Sequence, residues 1–310
     1  TDFALQIKNC QDVVVDGFEF FGGGIVVEDS DNVSLRNGLV SRNVAGRPGW
    51  SDAEAGVRFL HSTNVELTGS VVAYADSLIR AEACEGVLIE GCFTYNPRGP
   101  FPRGQHFQTW EFDGERSQDI TIRNHYSLTD FGAPGPFDVM QEDAMNFGMA
   151  DNILIENVLN EMRGAEFGSS SGSGLMFEGR STGRVDGFTS IGQANAGFGI
   201  SSGSVVSFDN VLSIVPQSPT ANIAGFAWQN AIVTLGENIR LYGTKPDGGA
   251  YGDWWTGDAI VSGVDGTVRG HSNSLDAEAA LDSVVRPPIP DVGFELPEAS
   301  DPSEAEVSDA

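Results

Sequence analysis

The hydrophobic positions along this chain follow a short repeated phrase. An Asp or Asn is followed by a β-branched residue, any residue, a second aliphatic residue, any residue, and then Gly or Asn. Copies begin at Asp12, Asn32, Asn64, Asp119 and Asn152, with variants at Gly86 and Asn238. A unit this short cannot bury its apolar face alone, so the repeat predicts a solenoid in which neighbouring units stack.

The spacing of the phrase gives the size of one coil. Copies from Asp12 to Asn152, with Gly86 included, start 20, 32, 22, 33 and 33 residues apart, which fits a coil of about 21 residues with an occasional loop of roughly ten. A second apolar column precedes the phrase by eight residues. It comprises Ile25, Val57, Ile79, Phe112, Met145, Phe177, Phe198 and Ile260.

Short β-rich segments between Gly, Asn, Asp and Ser turns indicate strands. Their connections are too short for the crossover helices of βαβ units. We therefore predict an all-β fold, a single-stranded right-handed parallel β-helix of about ten coils over residues 1–282. From Ser283 the composition turns to Pro, Asp, Glu and Ser, so 283–310 is expected to be a disordered acidic tail or a linker to an additional domain.

Residues directly after the second apolar column should face water, because side chains alternate along a strand. Read coil by coil, these residues are Val26, Arg58, Arg80, Asp113, Asn146, Glu178, Gly199 and Val261. The central five are polar or charged and the flanking ones are not. The pattern predicts a polar file at mid-rod, with Glu142 and Asp143 in the adjoining turn.

Carboxylates one or two coils apart suit glycoside cleavage, in which one acts as general acid and the other as base. The candidate catalytic residues are Asp113, Asp143, Glu178 and Glu142. Asp113 and Glu178 would lie two coils, roughly 10 Å, apart, which favours an inverting reaction. The candidate substrate-binding residues are Arg58, Arg80, Asn146, Gln105, His106, Trp110, Trp228, Trp254 and Trp255.

Charge and composition limit the partners. The chain has 44 acidic and 17 basic residues and a net charge of −27, which argues against nucleic acid as a partner. No apolar run is long enough to span a membrane. The three cysteines do not form a disulfide framework, and Cys10 and Cys84 fall in a column of small residues where packed thiols are expected. No cofactor is firmly implied, but a calcium ion held by Glu142 and Asp143 stays open.

The phrase and its spacing resemble the pectate-lyase-like right-handed parallel β-helix superfamily over about residues 1–275. Within it, Glu142-Asp-Ala-Met-Asn-Phe-Gly resembles the polygalacturonase-type segment that runs from an acidic pair into an Asx-led strand. That resemblance implies catalytic carboxylates at Glu142 and Asp143. The family's Gly-His-Gly is echoed only by Gly172-Ser-Gly174, and its Arg-x-Lys has no counterpart. The stretch from Gly104 to Trp255 also resembles bacterial right-handed β-helix repeat proteins, which implies an extracellular setting.

Three functions remain open from the sequence. The first is a secreted polysaccharide-active enzyme, a glycoside hydrolase with its groove along the rod. The second is a lyase or C5-epimerase on a uronate polymer, in which Arg58 or Arg80 neutralises the sugar carboxylate and His106 or an arginine abstracts the proton. The third is a non-catalytic adhesin or scaffold, in which the polar file is only a solvated face.

Overall fold

The computed structural model describes residues 3–42, 55–99, 104–133, 139, 141–164, 172–215, 223–244 and 253–297. They form 26 strands and one α-helix. The strands are β1 (Phe3–Lys8), β2 (Gln11–Asp16), β3 (Glu19–Phe21), β4 (Gly24–Glu28), β5 (Asp31–Arg36), β6 (Leu39–Ser41), β7 (Val57–Leu60), β8 (Thr63–Thr68), β9 (Val71–Ala73), β10 (Ile79–Glu82), β11 (Glu85–Glu90), β12 (Phe93–Tyr95), β13 (Phe107–Trp110), β14 (Ser117–Asp130), β15 (Asp143–Gly148), β16 (Ala150–Arg163), β17 (Ser173–Glu178), β18 (Thr182–Ile191), β19 (Ala196–Ile200), β20 (Val205–Ile214), β21 (Ile223–Ala227), β22 (Ile232–Leu235), β23 (Arg240–Gly243), β24 (Trp254–Thr256), β25 (Ile260–Ser262) and β26 (Val268–His271). A short 3-10 turn, Val264–Gly266, precedes β26, and the helix α1 spans Leu275–Asp282.

The strands form a parallel β-helix with three faces. The first face is a sheet of ten strands in the order β1-β4-β7-β10-β13-β15-β17-β19-β21-β24. The second runs β2-β5-β8-β11-β14-β16-β18-β20-β22-β25. The third contains β3, β6, β9 and β12, continues through the later halves of β14, β16, β18 and β20, and ends with β23 and β26. Ten stacked strands on the first face confirm the predicted fold and its number of coils.

The repeated phrase forms the second face, and both of its ends adopt left-handed backbone. Asp12, Asn32 and Asn152 at the start have φ of 56°, 53° and 54°. Asn37 and Asn157 at the end have φ of 54° and 51°. Asn, Asp and Gly tolerate this conformation better than other residues, which explains the limited choice of residue at both ends.

Side chains at these turns also bond from coil to coil. Asn32 Nδ2 donates to Asp12 Oδ1 at 2.6 Å, and Asn157 Nδ2 donates to Asn124 Oδ1 at 2.8 Å. The predicted column of small inward residues forms a second ladder, in which the Ser30 hydroxyl accepts from the Cys10 backbone N–H at 3.1 Å. All three cysteines are free thiols.

The interior of the rod is apolar on the first two faces and contains an aromatic stack. Phe107 and Phe147 have ring centroids 5.4 Å apart, and Phe147 and Phe177 have theirs 5.0 Å apart. All three rings are buried. Burying rings of this size contributes much of the hydrophobic free energy that fixes the first face, and that face carries the candidate site.

The chain after α1 differs from the expected disordered tail over residues 284–297. Val284, Ile289, Val292 and Phe294 pack against the third face, and Phe294 contacts Tyr95 at a centroid distance of 5.6 Å. The composition of the segment did not predict this packing, because these four apolar residues lie among Pro, Asp and Gly. Residues 298–310 of the predicted tail lie outside the described residues. Within the described residues, no helix has the length and apolar character needed to cross a membrane.

Candidate active site

The outward file on the first face has a register that differs in part from the predicted one. Strand pairing places in one row Val26, Arg58, Arg80, Gln108, Asn146, Met176, Gly199, Phe226 and Trp255. The predicted register is confirmed for Val26, Arg58, Arg80, Asn146 and Gly199. Their predicted exposure to water is not, because all of these except Arg58 are buried. The predicted register is wrong for Asp113, Glu178 and Val261, whose places are taken by Gln108, Met176 and Trp255.

Asp113 lies outside the file because the coil before β14 contains additional residues. Phe112 and Glu115 pair with each other in a tight turn, and Asp113 sits exposed at its tip with φ 53°. Phe107, not Phe112, therefore pairs with Ile79. The interval of eight residues matched Phe112 by coincidence, so Asp113 does not join the other candidate carboxylates.

Glu178 and Val261 also lie outside the file, again because the strand register differs from the predicted one. Leu175 pairs with Met145, which puts Glu178 two residues further along its strand, opposite Gly148. A shift of two residues along a strand preserves the direction of a side chain, so Glu178 still faces outward. Ile260 and Val261 belong to β25 on the second face, where Ile260 pairs with Ile232.

An open cleft of about 290 Å³ lies on the outer side of the first face. It crosses four successive strands and is lined by Arg80, Glu82, Gln108, Trp110, Glu142, Asn146 and Glu178. The predicted residues Arg80, Trp110, Asn146, Glu142 and Glu178 thus lie together, with Arg58 and Asp143 bonded to their neighbours. Glu82 and Gln108 are additional members that were not predicted.

The two predicted arginines share one carboxylate. Arg58 Nε donates to Glu82 Oε2 at 2.6 Å, and the Arg80 guanidinium contacts Glu82 Oε1. Glu82 stands two residues after Arg80 on β10, so strand alternation predicts that it faces the same side. That signal could have identified it. Because both arginines bond to the one carboxylate of Glu82, one of their two positive charges is compensated before any ligand binds.

Asn146 joins two carboxylates at the centre of the cleft. Its Nδ2 donates to Asp143 Oδ2 at 3.1 Å and to Glu178 Oε1 at 3.0 Å. Both partners accept, so the amide nitrogen must face them. Asn146 Oδ1 is buried and accepts no hydrogen bond within the described residues. The two carboxylate oxygens lie within about 6 Å of each other because both bond one nitrogen at ordinary distances.

Asp143 has an altered proton affinity. Burial raises its pKa to about 6, and the nearby charge of Glu178 adds to the rise. Hydrogen bonds from Asn146 and from the Ser173 backbone N–H, the latter 3.1 Å from Asp143 Oδ1, act in the opposite direction. Asp143 therefore retains its proton to a higher pH than an ordinary aspartate, beside a second carboxylate.

Glu142 is held on another wall of the cleft. The side-chain amide of Gln105 donates to Glu142 Oε2, and Gln105 Oε1 accepts from the Ser77 hydroxyl at 2.7 Å. Gln105 is fully buried. Its predicted contact with substrate is therefore corrected to a contact with Glu142.

His106 points into the rod, so it does not line the cleft as predicted. It is fully buried, and its ring nitrogens lie 2.9 Å from Thr94 Oγ1 and 2.7 Å from Thr129 Oγ1. Burial lowers its pKa well below the usual value, and the nearby His125 adds to that effect. The sequence did not give this direction because His106 was assigned to a loop, where strand alternation says nothing about which way a side chain points.

The four predicted tryptophans occupy different places. Trp110 is 38% exposed and borders the cleft, and its ring lies over Gly148 so closely that a Cβ there would be 2.1 Å from Trp110 Cε3. Trp254 is buried against Phe198 near the C-terminal end of the rod. Trp228 and Trp255 form an aromatic pair there, with centroids 6.2 Å apart. Trp110 alone among them borders the carboxylates.

The expectation of calcium gains no support from the geometry. Within the described part of the chain, no group of three or more His, Cys, Asp or Glu side chains is arranged to hold a metal ion. Both oxygens of Asp143 accept hydrogen bonds from Asn146 and Ser173. The donor set at Glu142 and Asp143 is therefore better described as a hydrogen-bonded carboxyl cluster.

No protein-family model matches the chain, and no curated protein matches it. Among solved structures, an alginate lyase from Paenibacillus sp. str. FPU-7 is similar with a TM-score of 0.48 and 13% identity, covering 83% of this chain and 99% of that one. A DFA-IIIase from Arthrobacter chlorophenolicus in complex with DFA-III has a TM-score of 0.33 and 10% identity, covering 88% and 52%. The tailspike protein gp49 from Pseudomonas phage LKA1 has a TM-score of 0.33 and 11% identity, covering 86% and 46%. This chain spans about half the length of the latter two proteins.

Proposed function

We propose that this protein is a polysaccharide-active enzyme, a glycoside hydrolase whose acid and nucleophile are Asp143 and Glu178. The observation that carries the proposal is the Asn146 amide, which joins Glu178 in the open cleft to the buried Asp143. Glycosidases need one carboxyl that keeps its proton beside another that acts as a carboxylate. The raised pKa of Asp143 supplies the first of these two groups.

The separation of the two groups favours a retaining reaction over the inverting one expected from sequence. Oxygens within about 6 Å are nearer to the roughly 5–5.5 Å of retaining enzymes than to the roughly 6.5–9.5 Å that leaves room for a water. In the first step Asp143 gives its proton to the glycosidic oxygen as the C–O bond breaks, and a Glu178 oxygen bonds to the anomeric carbon. In the second, Asp143 takes a proton from water, whose oxygen displaces Glu178.

Another residue of the cleft would bind the sugar. Trp110 presents part of its face, and aromatic faces stack on sugar rings. Since the polysaccharide substrates of such enzymes lie outside cells, extracellular action is part of the proposal.

The hypothesis of a lyase receives less support from the same geometry. His106, its expected base, faces the interior. Arg58 and Arg80, its expected cations, are both bonded to Glu82. A sugar carboxylate would have to compete with Glu82 for these guanidinium groups, and breaking a largely buried ion pair is costly.

The test is a panel of neutral and uronate polysaccharides assayed for new reducing ends and for the ultraviolet absorbance of an unsaturated product. We expect reducing ends without the absorbance. Asp143→Asn and Glu178→Gln should each lower kcat by a factor on the order of 100 or more. Glu156→Gln, on the second face of the same coil, is the control and should leave kcat unchanged. Full activity in both cleft variants would overturn the proposal, as would an unsaturated product.

The first-formed anomer gives an independent check of the pairing. Proton NMR of a fresh digest should show the configuration of the substrate retained at the new reducing end. Inversion would leave hydrolysis standing but would exclude Glu178 as a nucleophile.

A further inference from the structure

A second cleft adjoins the proposed cleavage site. It encloses about 530 Å³, and Trp110, Glu111, Arg116, Glu178 and Arg180 are among the residues that line it. Trp110 and Glu178 line both clefts. A sugar chain bound across Glu178 therefore continues past Trp110 into this second space, toward the turns that end β13, β15 and β17.

Arg116 builds one wall of the second cleft. Its Nε and Nη2 lie 2.8 and 3.1 Å from the two oxygens of Asp151. Its guanidinium also donates to the backbone carbonyls of Gly179 and Arg180 at 3.2 and 3.1 Å. These bonds fix the turn at 179–180, where Arg180 has φ 62°. The position of Arg180 is thus set before any ligand binds.

The Arg180 side chain is exposed and has no hydrogen bond or ion pair within the described residues. This is unusual for a chain with a net charge of −27. Arg116 nearby and Arg184 in the next strand both pair with carboxylates. Glu111 lines the same cleft, also without a partner within that part of the chain, and forms no ion pair with Arg180. Two unpaired opposite charges therefore border one space.

We propose that Arg180 binds an anionic substituent, a carboxylate or a sulfate ester, on the sugar next to the cleaved bond. The proposal rests on the proposed function and names its substrate class: a polysaccharide with acidic substituents. The guanidinium plane matches such groups with two parallel hydrogen bonds. Trp110 stacks on the same ring, and Glu111 repels a negative group from its own side of the cleft.

The test compares Arg180→Gln and Glu111→Gln on matched pairs of probes: pectate and its carboxyl-reduced form, and a carrageenan and its desulfated form. Removing the cation should raise KM for an acidic probe roughly five- to tenfold, the size of one charge-assisted contact. Glu111→Gln removes the repelling carboxylate and should lower KM for the same probe. Both effects should shrink in high salt because the groups are exposed, and both should vanish on the uncharged forms. An effect on pectate alone indicates a carboxylate, and one on carrageenan alone indicates a sulfate.

Arg240→Gln is the matched control, since Arg240 lies on the third face and has no ion pair with any residue that the structure describes. Calorimetry of probe binding to the Glu178→Gln protein gives a readout that does not depend on turnover. If neither Arg180→Gln nor Glu111→Gln alters affinity for an acidic probe, the inference is overturned while the hydrolase stands. If affinities change as expected and no probe is cleaved by the wild-type protein, the binding site stands and the hydrolase falls.

Discussion

At the scale of single residues, Asp143, which is bonded to residues of the cleft, has a position that does not favour folding. Asp143 is almost fully buried beside Glu178, and its pKa rises to about 6. A raised pKa means that the ionised form is less stable in the folded protein than in the unfolded chain. A group that opposes folding at neutral pH is a mark of a functional site.

Replacing Asp143 should therefore change how stability depends on pH. In the native protein the folded state binds more protons than the unfolded state between the unfolded pKa near 4 and the folded pKa near 6. Unfolding free energy falls as pH rises through this window, by up to about 3 kcal/mol. In Asp143→Asn that loss should be absent. Urea titrations at several pH values measure it, and a variant with the same decline as the wild type would contradict the assignment.

Gly148 is a second residue whose identity the cleft requires. Trp110 lies on it, and an added Cβ would be 2.1 Å from the Trp110 ring. Gly148→Ala should displace the indole, raise KM several-fold and cost about 1–3 kcal/mol of stability. Kinetics and thermal unfolding measure the two effects.

Gly266→Ala is the control for that substitution, because a Cβ there meets no atom within 4 Å. In a Trp110→Ala background, Gly148→Ala should become nearly neutral, since the clash has been removed. Additive losses in the double variant would show that Trp110 does not rest on Gly148.

At the scale of the strands, the sequence predicted the second face better than the first. The phrase carries its own register, because Asx and Gly at its ends mark the turns. The first face has no such marks, and its register was counted back from the phrase by eight residues. That count fails where the Phe112–Glu115 turn adds residues. Asn146 and Arg80 were therefore placed correctly and Asp113 was not.

The ladder of turns gives a prediction at the same scale. Asn157 has φ 51° and donates to Asn124 Oδ1, and other coils carry Gly91 and Gly187 at this position. Asn157→Ala should cost about 1–2 kcal/mol, because alanine adopts left-handed backbone poorly. Asn157→Gly keeps the conformation and should lose only the amide bond, about 1 kcal/mol or less. Chemical denaturation measures both, and equal losses would mean that backbone conformation does not limit the choice of residue.

At the scale of the whole molecule, the segment 284–297 closes the third face. Arg286 bonds both oxygens of Glu161 at 2.8 and 2.9 Å. Burial raises the pKa of Glu161, but hydrogen bonds from Arg286, Arg163 and Tyr126 outweigh it and lower the pKa to about 2. The attachment is thus an ion pair on an otherwise apolar contact, on a different face from the cleft.

This attachment should weaken in acid and when its cation is removed. A depressed pKa stabilises the folded form above the unfolded pKa near 4.3, and that contribution is lost as pH falls toward 2. Arg286→Gln should lose roughly 1–3 kcal/mol, because it leaves the buried Glu161 with one fewer partner. Limited proteolysis beyond Ser283 should accelerate in this variant and not in Arg269→Gln, whose partner is Asp253. Hydrolysis at the cleft should be unchanged in both variants, since the segment lies on another face. Equal proteolysis of the two variants would show that Phe294 and its apolar neighbours suffice to hold the segment.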